Sequence, residues 1–413
     1  MCDRLTVERL VKKEAMEEVV VVSAVRTAVG KLGGGLRDVE PEDLAELVIR
    51  EAMARAGVEP GEVDEVIMGQ AKQSADAANL ARVAALKAGI PVEVPAYTVM
   101  RQCGSGLQSV HNAAQAIMIG EADIVVAGGV ESMSKAPFYL RDARYGYRAG
   151  NGLLLDSNTE SQPRSQPYEV YGDLTMGLTA ENLAERYGIT REESDAFSLQ
   201  SQERAFAAIE SGRFKDEIIP VEIKKKKSTV VFDTDEHPRR STLEGLAALP
   251  PAFKKGGQVT AGNSSGRNDG AACTVVMSAK EAGRRGIKPM VVIRGMGVAG
   301  VSPDIMGLGP APASRLALKR AGLTFDDMGL IELNEAFAAQ SLSVIKELSI
   351  GDRMDVLNVN GGAIALGHPI GCSGGRVFTT LLYEMQKRGT RYGLATLCIA
   401  GGQGIATVVE AAN

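Results

Sequence analysis

The most constraining feature of this 413-residue sequence is that one order of segments occurs twice. β-branched and amphipathic segments alternate from EEVVVVSAV (17–25) to DIVVAGGV (123–130). They alternate again from MVVIRGMGVAG (290–300) to LATLCIAGG (394–402), with VLNVNGG (356–362) among the predicted strands of this second copy. Strands buried on both faces appear as continuous apolar runs, whereas helices carry apolar residues at helical spacing. The repeat therefore predicts an α/β fold made of two duplicated strand–helix halves.

The first copy is interrupted before its last strand. GQGIATVVEAA follows the second AGG at once, whereas its counterpart NDGAACTVVMSA appears only at 268–279. The stretch between is rich in polar loops, so we interpret it as an inserted loop domain that carries binding surface. The predicted parts are an N-terminal half over 1–134 that is completed by 268–285, the inserted loop domain over 135–267, and a C-terminal half over 286–413.

Charge and cysteine content exclude several classes of function. The formal net charge is −5 at pH 7, so no positive field attracts nucleic acid or an anionic membrane, and an anionic ligand must meet a local basic patch. No apolar run reaches the roughly 18 residues that span a bilayer, which makes the protein's expected location cytoplasmic. The five cysteines include no CxxC pair, so we expect reduced thiols and no metal site.

Two turns at equivalent places in the copies carry reactive residue types. MRQCGSGLQSV (100–110) corresponds to ALGHPIGCSGGRVF (365–378), and both pass from a strand through glycines into a helix. Cys103 then precedes a helix amino terminus, where backbone N–H groups favour an anion and lower a thiol pKa. Gly104 and Gly106 permit a sharp turn and the close approach of an acyl group. Cys103 is therefore the candidate nucleophile.

Of the three histidines, His368 is the candidate base. It lies in GHPIG, where Pro369 favours extended backbone and the glycines leave the imidazole free to project into a cavity. His111 falls inside an amphipathic helix, which suits a structural or surface role, and His237 lies in a charged loop that indicates no particular role. Cys103 and His368 together suit a nucleophile–base pair.

The local sequence leaves the roles of two further residues undecided. Cys398 ends the apolar run LATLCIAGG, where a free cysteine packs as a small hydrophobe as readily as it reacts. The equivalent strand of the first copy, DIVVAGGV, has no cysteine, so the duplication requires no thiol there. Asn334, in IELNEAFAAQ, stands between a predicted strand and a predicted helix, where asparagine commonly serves as an N-cap.

Four motifs resemble those of the thiolase family. They are CGSG at Cys103, NEAF at Asn334, NVNGGAIALGHPIGCSGGR from Asn358 and CIAGGQG at Cys398, within a match over 19–409. The resemblance implies a five-layered αβαβα fold of two βαβαβαββ halves whose sheets enclose shared helices, plus the inserted loop domain. It also implies coenzyme A and acetyl-CoA as substrates, no prosthetic group, and a homodimer or a homotetramer built as a dimer of dimers.

The resemblance also implies a role for each motif residue. Cys103 takes an acyl group from coenzyme A as a thioester and His368 activates it, in a ping-pong reaction. Cys398 is the general acid/base that removes a proton from the methyl group of a second acetyl-CoA. Asn334 positions a water that holds the enolate oxygen together with His368, while the N–H groups of Cys103 and Ala400 hold the oxyanion. The implied activity is acetyl-CoA C-acetyltransferase, the reversible condensation of two acetyl-CoA to acetoacetyl-CoA and CoA.

The sequence departs from the family pattern at several places. Ala400 replaces the glycine of CIGGG, and we predict that it has negative φ and a usable N–H. The segment 71–86 is less glycine-rich than usual in a region that tends to lie near the subunit interface, and 144–170 does not align. Thr175 stands where biosynthetic members often have histidine. MEEVVVVSAVRTA resembles the family's usual start, so 1–15 is interpreted as an extension without function.

Six residues match positions that bind coenzyme A or the acyl group. Ser265, in TAGNSSG, matches a contact to the pantetheine arm, and Arg239, in DEHPRRS, matches a contact to the nucleotide phosphates. Without the resemblance, TAGNSSG is a polar turn and the apolar members of the set suit a core. The remaining binding candidates are Ala261, Met176, Met306 and Phe337.

Three alternatives remain open at this point. A degradative 3-ketoacyl-CoA thiolase would accept longer chains, although the methionines favour short ones. A decarboxylating ketoacyl synthase of the same fold would pair its cysteine with two histidines or with a histidine and an asparagine, and Cys398 argues against it. A non-catalytic acyl-CoA or lipid carrier would need neither Cys103 nor His368, and both are present.

Overall fold

The computed structural model describes residues 16–412, so the extension predicted for 1–15 lies outside the described residues. The first copy of the repeat begins with a nine-residue strand that is buried along its whole length, as its continuous apolar run predicts. The elements of this copy are β1 (Val19–Thr27), β2 (Gly30–Lys31), α1 (Pro41–Ala56), β3 (Glu65–Gly69), α2 (Leu80–Lys87), β4 (Ala96–Val99), α3 (Ser105–Met118) and β5 (Ile124–Ser132).

The interruption after β5 contains short strands and two longer helices. Its elements are β6 (Phe138–Leu140), β7 (Leu154–Asp156), α4 (Ser157–Glu160), α5 (Tyr168–Tyr171), α6 (Met176–Tyr187), α7 (Arg191–Glu210), β8 (Ile218–Ile219), β9 (Val221–Lys224), β10 (Thr229–Phe232) and α8 (Leu243–Ala247). The buried Arg26 of β1 donates to Glu217 at 2.6 Å and to Asp235 at 2.8 Å, so two charged contacts anchor this segment on the first half.

The chain then completes the first half and builds the second. The elements are β11 (Asn268–Ser278), α9 (Ala279–Arg285), β12 (Val291–Gly300), α10 (Pro310–Ala321), β13 (Leu330–Leu333), α11 (Ala338–Leu348), α12 (Ala363–Leu366), α13 (Ile370–Arg388), β14 (Tyr392–Ile399) and β15 (Gln403–Ala411). β11 lies between β1 and β5, so the interrupted strand returns to the copy from which it was separated. The exact limits predicted for the three parts of the chain stay a prediction.

The two copies have the same strand order. In the part of the chain that the structure describes, the main sheet runs β13-β14-β15-β12-β1-β11-β5-β3-β4. Each copy contains two antiparallel pairs followed by a parallel pair: β1–β11–β5–β3 in the first and β12–β15–β14–β13 in the second. The copies are joined through two residue pairs between β1 and β12, Val20 with Val292 and Val21 with Val291. The duplication is confirmed.

One expected strand of the second copy is missing. VLNVNGG (356–362) corresponds to β4, but only Leu357 forms a bridge, to Ile331 of β13. Asn358 interrupts the strand because its φ is 44°, and its side chain replaces a backbone partner. Its Oδ1 accepts from Leu333 N at 2.9 Å and its Nδ2 donates to Leu333 O at 2.8 Å. The Asn358 side-chain amide thus supplies the two hydrogen bonds to β13 that a strand backbone would supply.

Three apolar cores hold the predicted five layers together, and the middle one covers both faces of the central helix layer. The first packs α1 and α2 against the strands of the first copy, and the third packs α10 and α11 against those of the second. The middle core contains residues of α3 and α13 together with strand residues of both copies. The two central helices are therefore shared, which confirms the αβαβα arrangement. No helix in residues 16–412 is long and apolar enough to cross a membrane.

The amino-terminal ends of α3 and α13 meet along a glycine-lined seam. A Cβ built on Gly106 would lie 2.8 Å from Gly375 N, and one on Gly374 would lie 2.4 Å from Leu107 N. Such distances are too short for a side chain, so glycine is required at both places. This corrects the expectation for Gly106, whose bare backbone admits the other helix rather than an acyl group. The seam brings the turns before the two helices together.

Candidate active site

Four of the five predicted catalytic residues, from both halves, line one cavity, and Asn334 is not part of its lining. Cys103 lies in the turn before α3, His368 in the turn before α13, Cys398 at the end of β14 and Ala400 in the turn that follows. The cavity is also lined by four of the predicted binding residues, Ser265, Met176, Met306 and Phe337. Groups that are more than 260 positions apart in the chain therefore face the same space, as the equivalence of the two turns requires.

The turn that carries Cys103 differs from the expectation. Positive φ occurs at Gln102 (43°), and Gly104 has a φ of −86°. Gly104 instead provides space, because a Cβ there would lie 2.6 Å from a side-chain carbon of β14. Ser105 stabilises the turn: its Oγ donates to Gln102 O at 2.6 Å and accepts from Arg101 N at 2.9 Å. Left-handed backbone at a non-glycine residue is strained, and such strain clusters at active sites.

The expected low pKa of Cys103 is wrong. Burial raises the pKa of this thiol to about 11, although N–H groups of Ala400 and of Cys103 itself and the charge of Lys72 act in the opposite direction. The helix terminus and its N–H donors are thus outweighed by desolvation at this position. Because the thiol is uncharged at neutral pH, a base must remove its proton before it can attack.

His368 is held as a neutral imidazole with one free nitrogen. Its Nδ1 lies 2.5 Å from Ser373 Oγ, and that hydroxyl donates its own proton to Pro369 O at 2.9 Å. The serine oxygen therefore accepts from Nδ1–H, and the lone pair is on Nε2. Nε2 is buried and has no partner among residues 16–412. Burial, with a smaller effect of Arg376, lowers the pKa of His368 to about 3, so the ring is neutral at pH 7.

Cys398 and Ala400 lie together at the end of β14. Cys398 is fully buried, and burial, followed by the proximity of Cys103, raises the pKa of its thiol above the usual range. Ala400 does not belong to the few non-glycine residues of the described chain that have positive φ. The Ala400 N–H lowers the pKa of the Cys103 thiol, in opposition to the larger effect of burial. The negative φ predicted for Ala400 is confirmed, and the role of its N–H stays a prediction.

Asn334 is not a helix cap. The following helix, α11, has Phe337 as its N-cap, so the local alternative is wrong. Asn334 is fully buried, and within the described part of the chain neither polar atom of its side chain has a partner. Next to it, the Glu335 carboxylate accepts from Ser201 at 2.6 Å and from Asn358 at 2.8 Å and so fixes the turn. Unpartnered buried polar atoms are rare and suit a water or a ligand group.

The predicted binding residues form two groups. Met306 and Phe337 pack with Cys398 in one buried cluster, against which Met176 lies, so these apolar residues do surround the second thiol. Arg239 and Ala261 do not line the cavity: Arg239 is exposed, and its Nη2 donates to Ala261 O at 3.3 Å. These two residues therefore lie on the protein surface outside the cavity.

Two family models describe the whole of this architecture. The model for "Thiolase, N-terminal domain" matches residues 19–280, and the model for "Thiolase, C-terminal domain" matches residues 287–411. The chain belongs to the thiolase family.

Relatives of this thiolase extend over nearly its full length. An acetyl-CoA acetyltransferase of Syntrophomonas wolfei is 56% identical over 95% of this chain and 99% of its own. The crystal structure of the Bacillus anthracis acetyl-CoA acetyltransferase has a TM-score of 0.93 at 49% identity, covering 96% of this chain and 99% of that one. Human mitochondrial 3-ketoacyl-CoA thiolase in complex with CoA has a TM-score of 0.90 at 45% identity, covering 96% and 98%.

Several residues at the thiolase site were not found in the sequence. Ser373, which orients His368, looks like an ordinary serine in the first turn of a helix. Phe253 lines the cavity and meets Phe337 edge to face, with ring centroids 6.0 Å apart, but it lies in a segment without a periodic pattern. Lys72 also lines the cavity. Its segment, 71–86, departs from the family pattern, and this departure was the one sequence feature that pointed to Lys72.

Proposed function

We propose that this thiolase is an acetyl-CoA C-acetyltransferase, which condenses two acetyl-CoA to acetoacetyl-CoA and CoA and also catalyses the reverse thiolysis. The single observation that supports this most is the meeting of two thiols and one imidazole, Cys103, Cys398 and His368, in one cavity. Claisen chemistry needs a nucleophile to hold the first acyl group and a separate base for the α-carbon of the second. Relatives named acetyl-CoA acetyltransferase are 50–56% identical over almost all of this chain.

In the first half-reaction Cys103 attacks the thioester carbonyl of acetyl-CoA. His368 Nε2 takes the thiol proton, and the N–H groups of Cys103 and Ala400 stabilise the oxyanion of the tetrahedral intermediate. The carbon–sulfur bond to CoA then breaks, and the CoA thiolate takes the proton of Cys398. The products are acetyl-Cys103 and CoA, with Cys398 as thiolate and His368 as imidazolium. The three groups are uncharged at rest, so charge develops only once substrate is bound.

In the second half-reaction the Cys398 thiolate removes a proton from the methyl group of another acetyl-CoA. The enolate oxygen is held by the His368 imidazolium and by a water that Asn334 positions, which gives the unpartnered amide a role. The enolate carbon attacks the acetyl group, a carbon–carbon bond forms, and the bond to Cys103 breaks. The Cys103 thiolate then takes the proton of His368, and the site returns to its neutral state.

The coenzyme A contacts are proposed from the same arrangement. Ser265 lies in the cavity lining, where it suits the pantetheine arm, and the exposed Arg239 with Ala261 suits the nucleotide end. The inserted segment 135–267 would then supply most of the coenzyme A surface. Replacing Arg239 with alanine should raise KM for acetyl-CoA several-fold at low salt and less at high salt, because a charge contact is screened. An unchanged KM would refute the contact.

We also propose a homodimer or homotetramer and a cytoplasmic location. β4 lies at the edge of the main sheet, and apolar side chains of the β6–β7 hairpin are exposed, such as Phe138 at 60% and Leu154 at 65%. Exposed apolar patches and free sheet edges are typical of subunit interfaces. The free cysteines suit a reducing compartment. Light scattering coupled to size-exclusion chromatography measures the assembly, and a monomer at micromolar concentration would refute the first proposal.

Thiolysis and mass spectrometry together test the proposed activity. Purified protein with acetoacetyl-CoA and CoA should yield acetyl-CoA, and acetyl-CoA alone should add one acetyl group to Cys103. A degradative enzyme of broader chain length, the second candidate, would cleave a 3-oxoacyl-CoA of eight carbons at least as fast as acetoacetyl-CoA. A carrier would bind acyl-CoA with neither product nor acetyl-Cys103, and that result would overturn the proposal.

A further inference from the structure

The two segments that depart from the family pattern meet beside the nucleophile. Lys72 belongs to 71–86, and Asn158 and Ser161 belong to 144–170, and all three line the cavity that contains Cys103. Lys72 Nζ donates to Ser157 O at 3.3 Å and to the hydroxyl of Ser161. The departures are therefore joined to each other, and together they give part of the cavity wall a polar and cationic surface.

The ammonium group of Lys72 is buried, yet both of its hydrogen-bond partners are neutral oxygens. The nearby Glu131 is also buried, and it accepts from backbone: Lys72 N at 2.9 Å, Ala71 N at 3.1 Å and Gly371 N at 2.8 Å. An ammonium has three donors, so one N–H of Lys72 remains for the cavity. Buried charges are costly unless they are paired, so the position suits an anionic ligand group.

A second polar group of the same wall lacks a partner. Asn158 is 7% exposed, and its Nδ2 donates to Met133 O at 2.9 Å. Its Oδ1 is buried and has no hydrogen-bond partner in the described part of the chain. A hydrocarbon chain against this wall would leave both Oδ1 and the Lys72 ammonium unsatisfied, whereas a hydrated polar end group would satisfy them.

We propose that Lys72 recognises a carboxylate at the end of the acyl chain, with Asn158 Oδ1 accepting from a water that hydrates it, so that the enzyme cleaves 3-oxoacyl-CoA substrates that end in a carboxylate. The inference rests on the proposed function, since it assumes acyl transfer through Cys103. In thiolysis the C2–C3 bond breaks, C2 takes the proton of Cys398 and leaves as acetyl-CoA, and the remaining acyl group stays on Cys103. CoA then takes that group as an ω-carboxyacyl-CoA, and the Lys72 ammonium pairs with its carboxylate throughout.

Two substrates of equal chain length test this proposal on the unmodified enzyme. They are 3-oxohexanoyl-CoA, which ends in a methyl group, and 3-oxohexanedioyl-CoA, which ends in a carboxylate. We expect kcat/KM to be roughly tenfold higher for the carboxylate substrate, as one desolvated charge-assisted contact would give. Equal values, or a preference for the methyl end, would overturn the proposal without any variant.

Substitution of Lys72 then assigns the preference to this residue. Lys72→Met should lower kcat/KM for the carboxylate substrate roughly ten- to hundredfold more than for the methyl substrate, whose smaller loss reports the effect of the Lys72 charge on the Cys103 thiol. Lys72→Arg should keep part of the preference, and the exposed Lys226→Met is the matched control. Equal losses on both substrates, with slower alkylation of Cys103, would show that Lys72 acts on the nucleophile and would overturn the proposal.

Acetoacetyl-CoA separates this inference from the proposed function. If acetoacetyl-CoA is cleaved and acetyl-Cys103 forms, but the carboxylate brings no advantage, only the inference fails. If no 3-oxoacyl-CoA is cleaved, both fail.

Discussion

The turns before α3 and α13 occupy the same place in two copies of one fold, and they differ in how each presents its reactive group. The first holds Cys103 after a strained, non-glycine residue, Gln102, and the N–H of Ala400 from the other copy lowers the pKa of its thiol. The second follows Gly367, whose φ is 97°, and orients His368 through a serine of its own helix. Duplication thus supplied two equivalent positions, and in the proposed mechanism each serves a different part of one reaction.

The two thiols provide the sharpest way to break this comparison. Cys103→Ala should lower both thiolysis and condensation by about 10⁴-fold or more and abolish acetylation, because no acyl group can be held. Cys398→Ala should lose condensation to a similar extent yet still form acetyl-Cys103 from acetyl-CoA. Intact-protein mass spectrometry and the release of CoA distinguish the two. Cys273→Ala, in β11, is the control, and loss of acetylation in Cys398→Ala would contradict the division of roles.

The second turn is tested through His368 and its partner. His368→Gln should lower kcat by about 10³-fold, the range of general-base effects. Ser373→Ala removes the acceptor for Nδ1–H, together with the hydrogen bond from the hydroxyl to Pro369 O. We expect kcat to fall roughly tenfold with KM nearly unchanged, because the ring loses its preferred tautomer. Steady-state thiolysis of acetoacetyl-CoA measures both. If Ser373→Ala instead raises KM and leaves kcat intact, the serine has a different role.

The pH dependence of Cys103 alkylation shows whether Cys103 and His368 form a thiolate–imidazolium pair in the free enzyme. Since the pKa of Cys103 is raised to about 11 and that of His368 is lowered to about 3, both are neutral between pH 5 and 9. The rate of Cys103 alkylation by iodoacetamide should rise about tenfold per pH unit between pH 7 and 10, because only the thiolate reacts. A plateau near pH 7 would reveal a thiolate–imidazolium pair instead.

The smallest effect is expected at Ala400, where the second copy approaches the first. Because Ala400 already has an ordinary φ and its N–H already acts on the pKa of Cys103, Ala400→Gly should leave kcat within about threefold. The change should destabilise the protein by about 1 kcal/mol, since glycine gives the unfolded chain more freedom. Urea unfolding measures the stability. A kcat that rises more than tenfold would mean that alanine misaims the donor.

Regular features of the fold could be predicted from the sequence, and features set by tertiary contacts could not. The duplication and the interruption were visible because buried strands and amphipathic helices have their own periodicity. The strand predicted at 356–362 is absent because the side-chain amide of Asn358 bonds to the backbone of Leu333. No periodic pattern in the sequence reports such a contact. A helix terminus near Cys103 was foreseen, but the burial that outweighs its effect on the thiol pKa comes from the packing of this turn, which lies against β14 and β15 of the other copy.

The candidate site shows the same limit. The motif residues Cys103, His368 and Cys398 could be named in advance because their neighbours in sequence are distinctive. Lys72 could not, since where a lysine side chain ends is decided by Ser157 and Ser161, which lie more than 80 positions away. The sequence shows that segment 71–86 departs from the family pattern, but it does not show why.

The glycine-lined seam between α3 and α13 has a further consequence for how this protein would fail. The candidate reacting groups are divided between the two copies, and at the seam itself contact between bare helix backbones holds their turns together. A slight opening there would separate the sulfur of Cys103 from His368 while leaving each sheet and its outer helices intact. Catalytic rate would therefore decline before circular dichroism or the melting temperature changed, which makes turnover a direct gauge of how tightly the two copies are docked.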